Sequence, residues 1–325
     1  MTMTRFFRIA SAVAACLLAV FLLSQVGCHR ATDPWKDVPG GATKVLVSFP
    51  PLFCFTKGVV GDDAKVLSLL VAVGPHEHQA GADDAQVAAG ADLFLVNGLQ
   101  LDDFVTTVAK ASGNTKIKIV KIADTALDPK ERIRMAQMPG HEGHGHGIWD
   151  PHAWLGIEQA ILMVQTIAAT MKEADAAHAK DYDKRAAEYV DKLKQLQADG
   201  KKMLAGKKNR KIIATHESLA YLCKSFDLEL AGSIMPVAGV EAEGSQLAAL
   251  EGLCEKYDIR VIAIEPQYKR DKAEALQHAQ QSKGRKMVII TIDPMETAVP
   301  DQLIDGDYYL RTMRSNLENL AKNLE

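Results

Sequence analysis

Cysteine is scarce in this chain and poorly spaced for structural work. Five cysteines occur in 325 residues, and beyond Cys28 the mature part keeps Cys54, Cys223 and Cys254, an odd number with no CxxC pair. That count and spacing argue against an all-cysteine metal site and a disulfide framework. Buried thiols are the expectation, with a Cys223–Cys254 disulfide as the lesser alternative. Basic charge is lacking too. The net charge is −3, and it falls to −5 once Arg5 and Arg8 leave with an N-terminal leader, so there is no nucleic-acid footprint. After that leader no apolar run reaches the ~20 residues that a membrane helix needs. No HExxH motif occurs either.

What is present is histidine, concentrated in one stretch. Gly140 to Trp154 reads GHEGHGHGIWDPHAW. Neutral imidazole is the commonest protein ligand for divalent transition metals, so the stretch reads as metal chemistry. It holds two kinds of histidine. His141, His144 and His146 sit among glycines that leave the backbone too free for a fixed geometry, which suits auxiliary, loose capture of an ion. His152 follows a rigid Pro151 and precedes an apolar helix-like run, which suits a fixed coordination position.

The chain divides readily. Residues 1–27 combine Arg5 and Arg8 with an apolar run from Ile9 to Leu23 and read as an export signal. Gly27 and Cys28 resemble a bacterial lipobox, although Gln25 stands where leucine is usual, and Cys28 is the expected lipidation site. Residues 28–43, rich in Pro, Gly and Asp, read as a tether. The working part is then extracytoplasmic, periplasmic or lipid-anchored to a bacterial membrane. A mature chain of roughly 300 residues exceeds the size at which single cores stop growing, so two lobes are expected. Residues 44–174 alternate strand candidates (44–49, 65–70, 92–97, 116–122) with helix-like stretches, and residues 205–325 restart that grammar at Lys211–Thr215, Arg260–Glu265 and Met287–Ile292. Alternation of this kind implies parallel α/β sheets. Residues 175–204 carry Tyr182, Ala186, Tyr189, Leu193, Leu196 and Met203 at helical spacing and form one long connecting helix, which predicts limited hinge motion.

In open α/β sheets, ligands bind at the carboxyl ends of strands. His76 lies just past one strand candidate, His216 directly follows Thr215, and Asp293 ends the strand Met287–Ile292. With His152 they converge on one cleft between the lobes.

These motifs resemble the solute-binding lipoproteins of bacterial ABC importers for zinc and manganese, over nearly the whole mature sequence. SFPPLF (48–53), the PH turn at Pro75 and His76, the ADLxxxNG segment 91–98, DPHAWL (150–155), THESLAY (215–221) and the strand ending in Asp293 and Pro294 all match the family pattern. Carried over position by position, the resemblance implies a metal held by His76, His152, His216 and Asp293. Three departures occur: Gly156 and Ile157 after DPHAWL, Glu243–Gly244–Ser245 where EPS is usual, and Glu77 and His78 where a tyrosine comes soon after the PH turn. Whether Glu77 or His78 adds a contact stays open.

Three imidazoles and one carboxylate favour zinc, with manganese as the alternative. The resemblance implies a monomeric, lipid-anchored protein that delivers metal to an ABC permease and its ATPase and catalyses nothing. Two other readings compete. A zinc hydrolase would use Glu217 or Glu265 as general base, but four ligands close the open position that catalytic zinc keeps. A metal-binding surface adhesin or zinc buffer would share the site and lack a permease.

Overall fold

The computed structural model describes residues 33–135, 148–235, 244–299 and 305–325. Residues 33–37 form a short turn belonging to a separate unit, and the α/β fold occupies Val38–Glu325. The histidines 141, 144 and 146, Glu243, the export signal and Cys28 lie outside the described residues.

Two four-stranded parallel sheets carry the fold, and they share one winding. The first contains β1 (Thr43–Val47), β2 (Ala64–Ser68), β3 (Leu93–Val96) and β4 (Lys118–Lys121) in the order β2-β1-β3-β4. The second contains β5 (Lys211–Ala214), β6 (Glu229–Ser233), β7 (Val261–Ile264) and β8 (Val288–Thr291) in the order β6-β5-β7-β8. In each, the chain lays its second strand on one side of the first and its third on the other. The strand order therefore reverses between β1 and β3, and again between β5 and β7. The crevices beyond those carboxyl ends are where such sheets bind ligands.

The strands form where β-branched and large apolar residues run together, and side-chain alternation sorts them between two faces. Val45, Val47, Leu93 and Leu95 of the first sheet and Ile212, Ala214, Val261 and Ala263 of the second all point into one continuous core. That core also contains side chains of α1 (Pro50–Val60), α5 (Ile157–Ala174), α6 (Ala179–Leu204) and α10 (Tyr308–Asn323). The remaining helices are α2 (Ala82–Ala89), α3 (Val105–Ala111), α4 (Ile122–Ala126), α7 (Ala220–Ser225), α8 (Gly244–Tyr257) and α9 (Asp271–Ser282).

The long helix α6 begins at Ala179, later than its periodicity suggests, because Ala176–His178 close a separate 3₁₀ turn, with Asp175 accepting hydrogen bonds from His178 and Tyr182. Its buried stripe is Tyr182, Ala186, Tyr189, Val190, Leu193, Leu196 and Leu204. Gly200, unfavourable in a helix by about 1 kcal/mol, is there for packing: a Cβ would come within 2.5 Å of Phe226 and 2.8 Å of Leu317. The three described cysteines are free and buried, so no Cys223–Cys254 disulfide forms. Burial pushes the Cys54 and Cys223 thiols up to about 12, which leaves them protonated and inert.

Candidate metal centre

Each lobe offers two side chains to a cluster at the cleft between the sheets. His76, from the loop after β2, and His152, from the DPH turn, come from the first lobe. His216, directly after β5 and Thr215, and Glu296, beyond β8, come from the second. One donor atom from each of the four lies within 4.8 Å of every other. The Nε2 of His152 is 3.1 Å from that of His76 and 3.2 Å from that of His216. Glu296 Oε1 stands 3.5 Å, 3.2 Å and 3.6 Å from the Nε2 atoms of His76, His152 and His216. Bonds of about 2.0–2.1 Å to a tetrahedral zinc place ligand atoms about 3.3–3.4 Å apart, and the five separations bracket that value.

The carboxylates behind two of the histidines fix which nitrogen faces inward. Asp150 Oδ1 lies 2.7 Å from His152 Nδ1, and Glu265 Oε1 lies 2.7 Å from His216 Nδ1. A carboxylate accepts, so each Nδ1 donates and each Nε2 lone pair is left for the cluster. The DPHAW motif has further work. Pro151 O accepts from Asn97 Nδ2 at the carboxyl end of β3, at 2.9 Å. Trp154 packs its ring 5.2 Å from the His152 ring and donates through Nε1 to Pro294 O at 2.7 Å. Pro294 belongs to the turn that delivers Glu296. One motif therefore supplies a histidine and ties the two lobes together beside it.

Asp293 does not stand with the imidazoles; Glu296 does. Asp293 Oδ1 accepts the backbone N–H of Met295 at 2.7 Å, its own N–H and carbonyl are held by Asn316, and its Oδ2 lies 3.5 Å from the Tyr308 hydroxyl. The aspartate thus closes an Asx turn. Met295 follows in the left-handed region, at φ +61°, and the reversal swings Glu296 into the cleft. Strand-end reasoning stops three residues short. The available signal is a second acid in the otherwise apolar segment DPMETAV.

The other candidates have different partners. Glu77 Oε1 accepts from Tyr268 OH at 3.0 Å, and His78 Nε2 pairs with Asp84 at 2.8 Å, so neither joins the cluster. Glu265 is 1 % exposed and orients His216. Burial holds the Glu217 carboxyl up, and the nearby Asp150 adds to that.

The electrostatics are those of a site that suits a cation. Glu296 is fully buried, and its Oε1 faces the three imidazole nitrogens. Burial alone would raise its pKa, but the His76, His152 and His216 imidazoles outweigh that and hold it well below the usual carboxylate range. Burial disfavours charge on His152, yet Asp150 and Glu296 prevail and carry its pKa up to about 10. His216 is raised likewise: burial opposes, and Glu265 and Glu296 win. Burial lifts Asp293 to about 6 against the hydrogen bonds that it accepts from Met295 and Tyr308.

Fold and cluster together define a two-lobed α/β protein with a buried three-histidine, one-glutamate centre. The chain belongs to the family described as zinc-uptake complex component A, periplasmic (ZnuA), whose model matches residues 45–323. Similar proteins include the zinc-binding protein AdcA of Streptococcus pyogenes serotype M3, 26 % identical over 317 residues. That match covers 94 % of this chain, which spans 60 % of the relative's length. The high-affinity zinc uptake system protein ZnuA of Bacillus subtilis is 27 % identical over 315 residues, covering 95 % of this chain and 96 % of that protein. Among solved structures, a Zn(II)-bound mutant variant of AdcAII from Streptococcus pneumoniae superposes with a TM-score of 0.75 at 23 % identity, over 88 % of this chain and all of the other. At that identity the likeness concerns the fold.

Proposed function

We propose that this protein captures zinc outside the cytoplasm and delivers it to an ABC-type permease driven by a cytoplasmic ATPase. One observation carries the reading: three Nε2 atoms and one carboxylate oxygen, contributed equally by the two lobes, stand at tetrahedral separations in a buried cleft. His76, His152, His216 and Glu296 are the ligands. Zinc favours this N and O set, and manganese is the weaker competitor. Membership of a zinc-uptake family and the zinc-binding relatives support the same choice. The protein acts as a monomer tethered to its membrane, with residues 1–27 removed on export, Cys28 lipidated, residues 28–43 as the spacer, and auxiliary capture by His141, His144 and His146. Four protein ligands leave no open coordination position for a hydrolytic water, and Glu265, the best-placed general base, is engaged with His216.

Metal analysis of protein purified without added metal, followed by zinc–manganese competition, tests the assignment. One equivalent of zinc, retained against manganese, is the expected result, and near-equimolar manganese that survives competition overturns it. Loss of zinc uptake on deleting a neighbouring permease gene separates delivery from a buffering or adhesive role.

A further inference from the structure

Gln267 has no place in the cluster, yet it touches the groups that shape it. The residue follows β7 in the loop Glu265–Pro266–Gln267 and is half-buried. Its amide nitrogen lies 2.9 Å from Glu265 Oε2 and 3.4 Å from Glu296 Oε2. Both neighbours are carboxylates, so the nitrogen rather than the oxygen of the amide faces them, and its two N–H groups donate one to each. Glu265 is itself fixed. Its Oε1 accepts from His216 Nδ1 at 2.7 Å and from Ser218 Oγ at 3.0 Å, and its backbone N–H donates to Thr215 Oγ1 at 3.0 Å. A continuous chain of hydrogen bonds therefore runs from His216 through Glu265 and Gln267 to Glu296, joining the two second-lobe members of the site.

The consequence lies in the two oxygens of Glu296. Oε1 faces all three imidazole nitrogens at 3.2–3.6 Å, while Oε2 is engaged by Gln267. A carboxylate that presents one oxygen completes a four-coordinate set with three nitrogens, the arrangement zinc prefers. One that turns both oxygens inward raises the coordination number and hardens the site, which favours manganese. We propose that Gln267 is a metal-selectivity residue: by holding Glu296 Oε2 away from the centre it keeps the glutamate monodentate and the site four-coordinate. Gln267 acts through Glu296 and is a positioning residue, not a ligand. This inference rests on the assignment of His76, His152, His216 and Glu296 as ligands.

The test compares the unaltered full chain with Gln267→Met, which preserves side-chain length and removes both donors, and with Gln267→Leu as a second variant. Metal-free protein is titrated with zinc and with manganese in competition, and its visible spectrum is recorded with cobalt(II), whose four-coordinate complexes absorb far more strongly than five- or six-coordinate ones. Both variants are expected to lose about 10–100-fold in zinc affinity. Manganese affinity holds or rises, so the zinc-to-manganese ratio falls at least tenfold, and the cobalt band weakens. An unchanged ratio with an unchanged cobalt band overturns the role of Gln267, as does an equal loss for both metals with the band intact, which is the pattern of general loosening. Those results leave the ligand assignment standing as long as the unaltered chain binds one zinc tightly and Glu296→Ala does not. Failure of the unaltered chain to bind any divalent metal overturns the assignment itself and the role of Gln267 with it.

Discussion

The two sheets have the same strand order, and each lobe provides two members of the cluster, but the apolar interior falls into a core common to both lobes and a smaller one confined to the second. The inward-facing residues of both sheets join one core, together with Trp154, Tyr182, Tyr309 and Phe226. The outward face of the second sheet packs into a separate, smaller core built from Ile213, Ile262, Ile264, Leu250, Cys254, Leu276 and Met287. The first sheet's outward residues Leu46, Phe94 and Val96 are buried as well. The site stands on the shared side, where His152 lies under Trp154 and the Asp293–Pro294 turn is bonded to the DPHAW motif. The smaller core lies under α8 and α9 and reaches the site through Tyr268, whose ring stands 5.6 Å from that of His216.

The largest expected effect breaks the equal division of the site. His152→Ala, from the first lobe, and His216→Ala, from the second, each remove one proposed bond to the metal and should lower zinc affinity by comparable factors of about a thousand or more, or about 4 kcal/mol. Asp293→Ala removes the cap of the turn that carries Glu296 and no ligand, so its loss should stay within the 10–100-fold range of outer-shell changes. Isothermal titration of the three variants decides the matter. A loss for Asp293→Ala as large as that for His152→Ala would return Asp293 to the ligand set.

Stability should divide along the line between the two cores. Trp154→Ala empties a fully buried indole site and removes the bond to Pro294, and is expected to cost about 3–5 kcal/mol and to weaken zinc binding as well. Leu276→Ala, in the outer core, should also destabilise by a few kcal/mol, but its faster amide exchange should be confined to α8 and α9 and its zinc affinity should be nearly unchanged. Hydrogen exchange that rises equally in α5 and α6 for Leu276→Ala would show that the two cores unfold as one.

Local features of the fold and site are legible in the sequence, and non-local ones are not. The helix α6 is readable because its apolar stripe repeats every three or four residues, and the clustered histidines because His76 lies just past one strand candidate and His216 directly follows another. The strand β6 is hidden: ELAGS contains Gly232, whose missing side chain admits Leu250, since a Cβ there would meet it at 2.8 Å, and the β5–β6 register shifts at Ile212/Ile213. Glu296 is hidden for a related reason. Its direction depends on the positive φ of Met295 and on Asn316, twenty residues further along the chain, holding the Asp293 backbone. Neither the turn nor that partner is visible in the spacing of the residues. Glu265 reads from sequence only as a possible base, because its pairing with His216 spans 49 positions.

A smaller effect concerns protons, which both lobes hold by the same device: a buried carboxylate behind a histidine. Without metal, Asp150 and Glu296 keep a proton on His152 up to about 10, above the ordinary 6.5. That proton stabilises the metal-free fold fully below about pH 6.5, and the contribution is lost as pH rises toward 10. Zinc must displace it, so zinc affinity should rise with pH across the same window, by up to about tenfold per unit for each proton released. The melting-temperature gain at fixed free zinc should therefore widen between about pH 6.5 and 9. A gain that stays flat over that interval would mean that His152 is already neutral in the metal-free protein.

The smallest effect is expected from the segment richest in histidine. His141, His144 and His146 are separated by one or two residues, with glycine at positions 143, 145 and 147, and ordering so permissive a backbone around one ion carries a large conformational cost. Three of the four clustered side chains carry no such cost. Asp150, Glu265 and Gln267 already hold His152, His216 and Glu296 in place. Removal of residues 140–147 should leave one tight zinc per chain and nearly the full thermal stabilisation by zinc, while slowing capture when zinc is scarce. Stopped-flow uptake at limiting zinc, beside equilibrium titration, separates the two. If the deletion abolished tight binding, a histidine of that segment would have to be a primary ligand, and the cluster of His76, His152, His216 and Glu296 would not be the whole site.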